Sequence, residues 1–238
     1  MANPDALSTH GFELIDDAGG RFQLDGSGKI SVKNGLLLDY EQAATHTIVV
    51  RAKDQFGKSI DQTLTVVLKD VDKESTTGTT GSDTVSGGAN ADTLSGGGGN
   101  DVLNAGGGKD KVDGGVGNDR IIGGGGQDTL TGGAGKDVFA FGNKDTGTSK
   151  GTADTITDFS GKGGDRIDLK AIDADVKKKG DQAFSFIGKN AFTKAGQVRY
   201  EKTSKETLIY LNTDSDKAAE GVIKLKGAFD MQKSWFVL

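Results

Sequence analysis

The sequence predicts an all-β protein built around a parallel β-roll, with an incomplete β-sandwich before the roll and a β cap after it. A nine-residue phrase recurs seven times in residues 80–142, and apolar and polar residues alternate on both sides of that stretch. The chain also has 39 glycines among 238 residues. A fixed period is the signature of a solenoid, and alternation is that of strands. Because a flexible glycine linker needs no fixed spacing, that interpretation is rejected.

Charge and composition narrow the classes of function. Lys and Arg number 7 against 11 Asp and Glu in residues 1–72, 5 against 9 in 73–142, and 17 against 14 in 143–238. The acidic repeats suit a cation, and nothing in the sequence predicts a nucleic-acid partner. The sequence has no cysteine for disulfides, no apolar stretch of membrane-spanning length and no N-terminal signal peptide. Taken alone, these absences predict a cytosolic protein.

Residues 1–72 are predicted to form short antiparallel strands of a sandwich. Apolar and polar residues alternate in segments that are separated by turn dipeptides such as Asp25-Gly26, Asn34-Gly35 and Phe56-Gly57. The predicted strands are 21–24, 29–32, 45–51 and 62–68.

Motifs in this segment resemble the later part of a cadherin-like repeat. Leu38-Asp39-Tyr40-Glu41 matches the LDxE motif of that family, Ala52-Lys53-Asp54 its AxD motif, and residues 70–72 its DxND-type exit. The resemblance implies calcium ligands at Asp39, Glu41, Asp54, Asp70 and Asp72, with Asn3-Pro4-Asp5 in the place of an earlier DxD motif. Plain surface carboxylates are the alternative. Since the opening strands of that family are absent, we expect this half to be marginally stable or completed by another chain.

The repeats in residues 80–142 follow a polar junction at 73–79. Each repeat has an aspartate, and two residues later an apolar side chain such as Leu103 or Ile121. The aspartates lie nine residues apart: Asp83, Asp92, Asp101, Asp110, Asp119, Asp128 and Asp137. Three residues form a short strand with one inward side chain, and the other six turn the chain through conformations that favour glycine. Eighteen residues therefore make one coil of the roll.

Aspartates one coil apart are expected to stack at about the 4.8 Å spacing of neighbouring strands. The first row contains Asp83, Asp101, Asp119 and Asp137, and the second row contains Asp92, Asp110 and Asp128. Carboxylates this close repel, so a cation between successive coils would stabilise the fold. Carboxylates and backbone carbonyls form an oxygen-only ligand set that selects calcium. The alternative is a roll whose aspartates cap turns through side-chain hydrogen bonds.

The repeats resemble the GGxGxDxUx nonapeptide of RTX (repeats-in-toxin) proteins, in which U is a large apolar residue. Residues 96–104 and 123–131 match that pattern throughout, whereas Asn90, Ala105 and Thr79 replace glycines in others. The resemblance implies a β-roll that binds several calcium ions.

Residues 143–238 are predicted to continue and cap the roll, since a stacked array must cover its last coil. Segments 153–159, 164–169 and 184–187 resemble the C-terminal region of serralysin-type proteases, while 198–201 and 207–211 alternate as a hairpin and 222–225 forms another strand. Two groups of acidic-loop residues are further calcium candidates, with surface turns as the alternative: Asp154, Asp158, Asp165 and Asp168, and Asn212, Asp214 and Asp216. The second group lacks the Gly and Glu of an EF-hand loop.

Residues 229–238 resemble the apolar end of type I secretion substrates; a terminal strand is the alternative interpretation. The resemblance implies a partnership with the type I secretion apparatus and an extracellular location, which replaces the cytosolic prediction. Extracellular modules bind calcium at roughly 10⁻⁴ to 10⁻³ M. Folding that depends on calcium outside the cell would explain how the chain dispenses with disulfides.

No catalytic motif appears. His10 and His46 form no HExxH, and neither a GxSxG elbow nor a phosphate-binding loop is present. We expect a non-enzymatic, calcium-binding protein that serves adhesion at a cell surface or in an extracellular matrix. The alternative is an accessory module that binds acidic polysaccharide, resembling the R-modules of alginate epimerases, with a carboxylate-pair hydrolase as a third class. The basic residues assigned to polymer contact are Lys177, Lys178, Lys179, Lys189, Lys194 and Arg199.

Overall fold

The computed structural model describes residues 11–35, 38, 43–69 and 75–238, and it divides the chain into two compact units, residues 1–71 and 72–238. Strands dominate the described residues, and most strand pairs of the second unit are parallel. The predicted all-β class with a parallel roll is therefore confirmed. No helix in the described part of the chain is long and apolar enough to cross a membrane.

The first unit contains two antiparallel arrangements. Its described strands are β1 Gly11–Asp16, β2 Phe22–Leu24, β3 Ile30–Val32, β4 Thr45–Lys53 and β5 Ser59–Val67. Strands β1, β4 and β5 form one sheet in that order, and β2 pairs with β3 as a hairpin. Both hairpin turns are capped by an aspartate: Asp25 Oδ1 accepts from the backbone N of Ser27 and Lys29, and Asp54 Oδ1 accepts from that of Phe56 and Lys58. Strands β2 to β5 match the predicted segments, whereas β1 is not predicted from the sequence.

Few side chains of the first unit are buried. Phe22 and Ile48 are, and His46 packs with its ring edge towards Phe22 at a centroid distance of 6.3 Å, a structural position. On β5, by contrast, Ile60 and Val67 are 69% and 70% exposed, and among the described residues β5 pairs with β4 alone. The expected incompleteness of the module stays a prediction, since residues 1–10 lie outside the described part of the chain. The cadherin-like assignment stays a prediction, because the candidate ligands Asp39, Glu41, Asp70 and Asp72, with Asn3, Asp5 and His10, lie outside the described residues.

The repeats form short parallel strands that alternate between two sheets. These are β6 Ser75–Thr77, β7 Thr84–Ser86, β8 Thr93–Ser95, β9 Val102–Asn104, β10 Gly107–Gly108, β11 Lys111–Val116, β12 Arg120–Ile122, β13 Gly125–Gly126, β14 Thr129–Ala134 and β15 Val138–Gly142. One sheet contains β6, β8, β11 and β14, the other β7, β9, β12 and β15, and β10 pairs with β13. Val112 pairs with Leu130 and Ile121 with Phe139, which are 18 residues apart as predicted for one coil.

The apolar residue of each repeat fills the interior of the roll. Seven residues share this role and are at most 2% exposed: Val85, Leu94, Leu103, Val112, Ile121, Leu130 and Phe139. Burying an aliphatic side chain of this size stabilises the fold by about 1.5–3 kcal/mol. The interior ladder is therefore a main source of stability, but one side chain per nine residues makes a thin core.

The roll begins at Ser75, before the first recognisable repeat. Strand β6 pairs in parallel with β8, with Thr76 opposite Leu94. Thr76 therefore occupies the place of the inward apolar residue, inside the segment predicted as a junction. This strand is not recognisable from the sequence, because its inward residue is a threonine and no aspartate precedes it at the repeat position.

The tail extends both sheets. Its elements are β16 Asp154–Ile156, β17 Arg166–Ala171, β18 Ser185–Phe186, β19 Gln197–Lys202, β20 Glu206–Asn212, β21 Gly221–Lys226, a 3-10 helix Lys233–Trp235 and β22 Phe236–Val237. Strand β16 joins β14 and then β21, while β17 joins β15 and then β22. The predicted hairpin is confirmed, because β19 pairs antiparallel with β20, with Tyr200 opposite Ile209.

The apolar residues near position 238 are packed as structure. Trp235 and Phe236 are buried, and their rings lie 6.0 Å from Phe159 and 5.3 Å from Phe186 respectively. Together with Phe139 these residues belong to one apolar core that runs from the roll into the tail. The predicted cap thus shares its core with the repeats, and the terminal strand of the alternative interpretation is present as β22.

Candidate metal centre

Each repeat aspartate lies at the turn that leads into a strand, so aspartates one coil apart stack. The backbone N of Asp83 donates to Asp101 Oδ1 at 2.8 Å, and that of Asp101 donates to Asp119 Oδ1 at 2.8 Å. The same bond joins successive members of the second row, beginning with Asp92 N to Asp110 Oδ1 at 2.8 Å. The structure therefore places the seven sequence-predicted residues in two rows: Asp83, Asp101, Asp119 and Asp137, and Asp92, Asp110 and Asp128.

Both rows continue beyond the repeats. Asp128 N donates to Asp154 Oδ1 at 2.8 Å, and Asp137 N donates to Asp165 Oδ1 at 3.1 Å. From the sequence, Asp154 and Asp165 are predicted only as loop carboxylates, because intervals of 26 and 28 residues break the period. An available signal was the Asp-x-apolar triplet of the repeats, which recurs at 154–156 and 165–167.

The other two acidic residues of that predicted group have protein partners. Asp158 accepts hydrogen bonds from the backbone N of Gly132 and Gly133, at 2.9 and 2.8 Å. Asp168 pairs with Arg120 at 2.9 Å. The structure therefore separates the predicted group into two row members, Asp154 and Asp165, and two carboxylates that hold the tail on the roll.

The second carboxylate oxygen distinguishes six of the nine row members from the other three, and Asp154, the last member of its row, belongs with the six. Six aspartates have a buried Oδ2 without a hydrogen-bond partner: Asp101, Asp110, Asp119, Asp128, Asp137 and Asp154. At the ends, Asp83 Oδ2 accepts from Thr79 N and Oγ1, Asp92 Oδ2 from Gly88 N, and Asp165 Oδ2 from Ser160 N. A buried polar atom without a partner costs about 1–3 kcal/mol, and more when it is charged. Six such atoms in one structural position indicate a ligand.

Burial also perturbs the acidity of these carboxyls. Desolvation, opposed by the backbone hydrogen bond and reinforced by neighbouring aspartates, raises the pKa of Asp110 and Asp137 from 3.8 to about 6 and that of Asp154 to about 8. Desolvation likewise raises the pKa of Asp119, Asp128 and Asp165. Without a counter-ion, burial therefore favours the protonated form of these six carboxyls, whereas a bound cation would favour the ionised form.

A glycine turn lies next to four of the orphaned oxygens, those of Asp101, Asp119, Asp128 and Asp137, whereas Ala105 stands at the corresponding place before Asp110. A methyl group added to Gly114 would lie 2.5 Å from both Asp119 Oδ2 and the carbonyl O of Gly132. Gly132 has the same relation to Asp137 Oδ2, again at 2.5 Å. The carboxylate oxygen thus faces a backbone carbonyl across a space that even a small side chain would fill. These oxygen donors fit calcium, and they are unsuited to zinc, which takes nitrogen or sulfur ligands in its structural sites.

Four of the basic residues assigned to polymer contact have protein partners. Lys178 pairs with Asp175, Lys189 with Asp230, and Arg199 with Glu201. Lys177 donates to Ser215 Oγ. The predicted loop residues Asp214 and Asp216, by contrast, lie together with Glu220, which no sequence pattern singles out.

Three comparisons with known proteins were made. The sequence matches no curated protein. Solution structures of the AlgE6R2 and AlgE6R3 subunits from the Azotobacter vinelandii mannuronan C5-epimerase resemble the chain, each at 23% sequence identity. The match to AlgE6R2 covers 69% of this chain and 92% of the AlgE6R2 chain, with a TM-score of 0.36. The match to AlgE6R3 covers 65% of this chain and 70% of the AlgE6R3 chain, with a TM-score of 0.31. Finally, the family described as peptidase M10 serralysin C terminal matches residues 54–238, which include the roll and the whole tail.

Proposed function

Because the chain belongs to the peptidase M10 serralysin C-terminal family, we propose that it is a secreted, non-catalytic calcium-binding protein whose nonapeptide roll folds when calcium binds. The proposed ligands are the seven repeat aspartates, Asp83, Asp92, Asp101, Asp110, Asp119, Asp128 and Asp137, together with Asp154. The observation that carries the proposal is the set of six buried Oδ2 atoms without partners. Turn capping, the alternative role, accounts for the bonded Oδ1 atoms but leaves the Oδ2 atoms unexplained.

Electrostatics explains why folding would depend on calcium. Two carboxylates at the strand spacing of about 4.8 Å repel by roughly 3 kcal/mol at an effective dielectric constant near 20. Several such pairs oppose the burial of a thin core, since the total stability of a domain is about 5–15 kcal/mol. A divalent cation between coils replaces repulsion with attraction, so its binding energy contributes directly to folding.

Calcium concentration would then determine where the protein folds. Extracellular calcium modules bind at about 10⁻⁴ to 10⁻³ M, far above the concentrations that high-affinity cytosolic buffers require. We propose export through a type I secretion apparatus as an unfolded chain, followed by folding outside the cell. Adhesion at a cell surface or in an extracellular matrix is the proposed role, with the first unit providing an incomplete sheet for a further chain to complete.

A second candidate is binding to an acidic polysaccharide as the accessory module of a polysaccharide-modifying enzyme. Arg199 favours it, since its guanidinium lies 4.8 Å from the Tyr210 ring centroid and 5.4 Å from that of Phe192 on the tail. A cation is attracted to the face of an aromatic ring, so these contacts hold the guanidinium beside the two rings. Salt-sensitive binding to acidic polysaccharide, abolished by Arg199→Ala, would favour this candidate. Calcium-dependent binding to cells or to itself would favour adhesion.

The experiment that tests calcium-dependent folding is circular dichroism of the full chain. Spectra in a chelator, in millimolar magnesium and in millimolar calcium are compared. We expect the β-sheet signal to increase in calcium and to remain low in magnesium, whose preference for near-ideal octahedral geometry suits these carbonyl-lined turns poorly. Equal spectra in all three solutions would refute the proposal.

A further inference from the structure

The loop between β20 and β21, outside the two aspartate rows, contains a separate group of carboxylates. One oxygen each from Asp214, Asp216 and Glu220 lies within 4.8 Å of the others. Calcium binds oxygen at 2.3–2.6 Å, so ligands on opposite sides of one ion lie about 5 Å apart. The three oxygens are therefore close enough to contact the same ion without rearrangement of the loop.

A buried amide independently indicates a ligand at the same place. Asn212 is fully buried, and its side chain points into the loop, because Nδ2 donates to the backbone O of Asp216 at 2.8 Å and of Ala218 at 3.0 Å. Its Oδ1, on the same amide group, is buried without a hydrogen-bond partner. A buried amide oxygen left without a partner is costly. Amide oxygens are also regular calcium ligands.

Protein cations do not neutralise this group. Among the described residues, no Lys or Arg forms an ion pair with Asp214, Asp216 or Glu220. Lys177 instead donates to the hydroxyl of Ser215 in the same loop at 2.8 Å. Three negative charges thus converge on one loop together with a neutral oxygen donor.

We propose that the 212–220 loop binds a calcium ion of its own, with Asp214, Asp216, Glu220 and the Oδ1 of Asn212 as ligands. This site differs from those of the rows because its ligands come from one continuous loop and need no neighbouring coil. It would fix the end of the β20–β21 hairpin, where Glu220 N donates to Leu211 O and Glu220 Oε2 accepts from Thr213 N. The proposed loop site is therefore additional to the calcium sites that we propose for the two rows.

Isosteric substitutions separate ion binding from turn formation. Asp214 Oδ1 accepts from Asp216 N at 2.8 Å, and Glu220 Oε2 accepts from Thr213 N at 2.7 Å. The double variant Asp214→Asn/Glu220→Gln retains an acceptor oxygen for each bond but removes two negative charges. Asp181→Asn/Glu201→Gln is the matched control, since it removes the same charge from the tail at two exposed positions.

The measurement is the number of bound calcium ions at saturation, obtained by native mass spectrometry on the full chain. We expect the double variant to bind one ion fewer than the wild type, with an unchanged circular dichroism spectrum, and the control to retain every ion. An unchanged ion count in the double variant would overturn the loop site, whatever the rows bind. If the double variant misfolds, the single exposed substitution Asp216→Asn replaces it, with the same expected loss and the same refuting result.

Discussion

The first unit and the roll use aspartate in two different ways. In the first unit, Asp25 and Asp54 lie at exposed or half-exposed hairpin turns and are satisfied by hydrogen bonds from the residues that follow them. In the roll, Asp119 Oδ1 accepts a similar bond from the backbone N of Asp101 in the neighbouring coil, but its Oδ2 is buried without a partner. The second oxygen therefore separates an aspartate that only caps a turn from one that we propose as a calcium ligand. It follows that the roll should respond to calcium more strongly than the first unit.

The two regions also differ in what fills their interior, and core truncation gives the largest expected effect. Leu103→Ala removes a fully buried side chain of the roll and should lower the free energy of unfolding by about 2–5 kcal/mol. Ile60→Ala, at a position 69% exposed in β5, should change it by less than about 0.5 kcal/mol. Chemical unfolding in saturating calcium measures both. Equal losses would mean that the first unit is packed as firmly as the roll.

A methyl group added beside an orphaned oxygen tests the proposed calcium cradle, the glycine turn next to that oxygen, without changing any charge. Gly114→Ala places a methyl group 2.5 Å from both Asp119 Oδ2 and the Gly132 carbonyl O, so the calcium concentration at the folding midpoint should rise by about tenfold, or roughly 1.4 kcal/mol, and no further because Ala105 already stands at the corresponding place before Asp110. Gly125→Ala is the control, because no atom lies within 4 Å of the added methyl group. Calcium titrations followed by circular dichroism compare them. A similar midpoint for the two variants would contradict the proposed cradle.

The change in the calcium midpoint when one carboxylate is lost should depend on the position of that carboxylate along its row. Asp119→Asn removes a charge with an orphaned oxygen and should raise the calcium midpoint by about tenfold, which corresponds to 1.4 kcal/mol. Asp101 shares this inner position, whereas Asp83 is an end member whose Oδ2 is already bonded by Thr79, so Asp83→Asn should have a smaller effect. Asp54→Asn in the first unit should have none. Equal shifts at Asp83 and Asp119 would contradict the distinction between inner and end members.

The smallest expected effect is a dependence on pH. The folded-state pKa values of Asp110 and Asp137, about 6, and of Asp154, about 8, lie above the ordinary value of 3.8. The calcium-free fold therefore takes up protons, and its stability should decrease as pH rises from about 4 to 8. Calcium needs the ionised carboxylates, so the calcium midpoint should fall a few-fold between pH 6 and pH 8. Titrations at both pH values check this, and a midpoint that rises with pH would have the wrong sign.

Periodicity made much of the fold predictable. A strict nine-residue repeat determined the length of a coil, the inward residues such as Leu103 and the membership of the rows. Strand β6 could not be predicted from the repeat pattern. Its inward residue is Thr76 instead of a large apolar residue, so the apolar position that marks the other repeats is missing there. The cap strands of the tail were found through their alternation, but their place in each sheet depends on long-range pairs such as Asp154 with Ile223.

The candidate metal centre was only partly predictable, because the nine-residue period ends before the tail. Repeat spacing identifies the seven row aspartates, whereas Asp154 and Asp165 enter the rows after insertions that no period describes. The orphaned Oδ2 atoms and the buried Asn212 amide are properties of three-dimensional packing. Sequence patterns indicate which residue types are near one another, but they do not show which oxygen lacks a partner.

Hydrogen exchange measured by mass spectrometry, with and without calcium, tests the central claim most directly because it reports on both regions in one experiment. We predict that amides of β11, β12 and β14 in the roll become protected by a large factor in millimolar calcium and exchange rapidly in a chelator. The amides of β4 and β5 in the first unit should change little. Equal protection of the roll with and without calcium would contradict the account, because the buried carboxylates would then be stable without the ion.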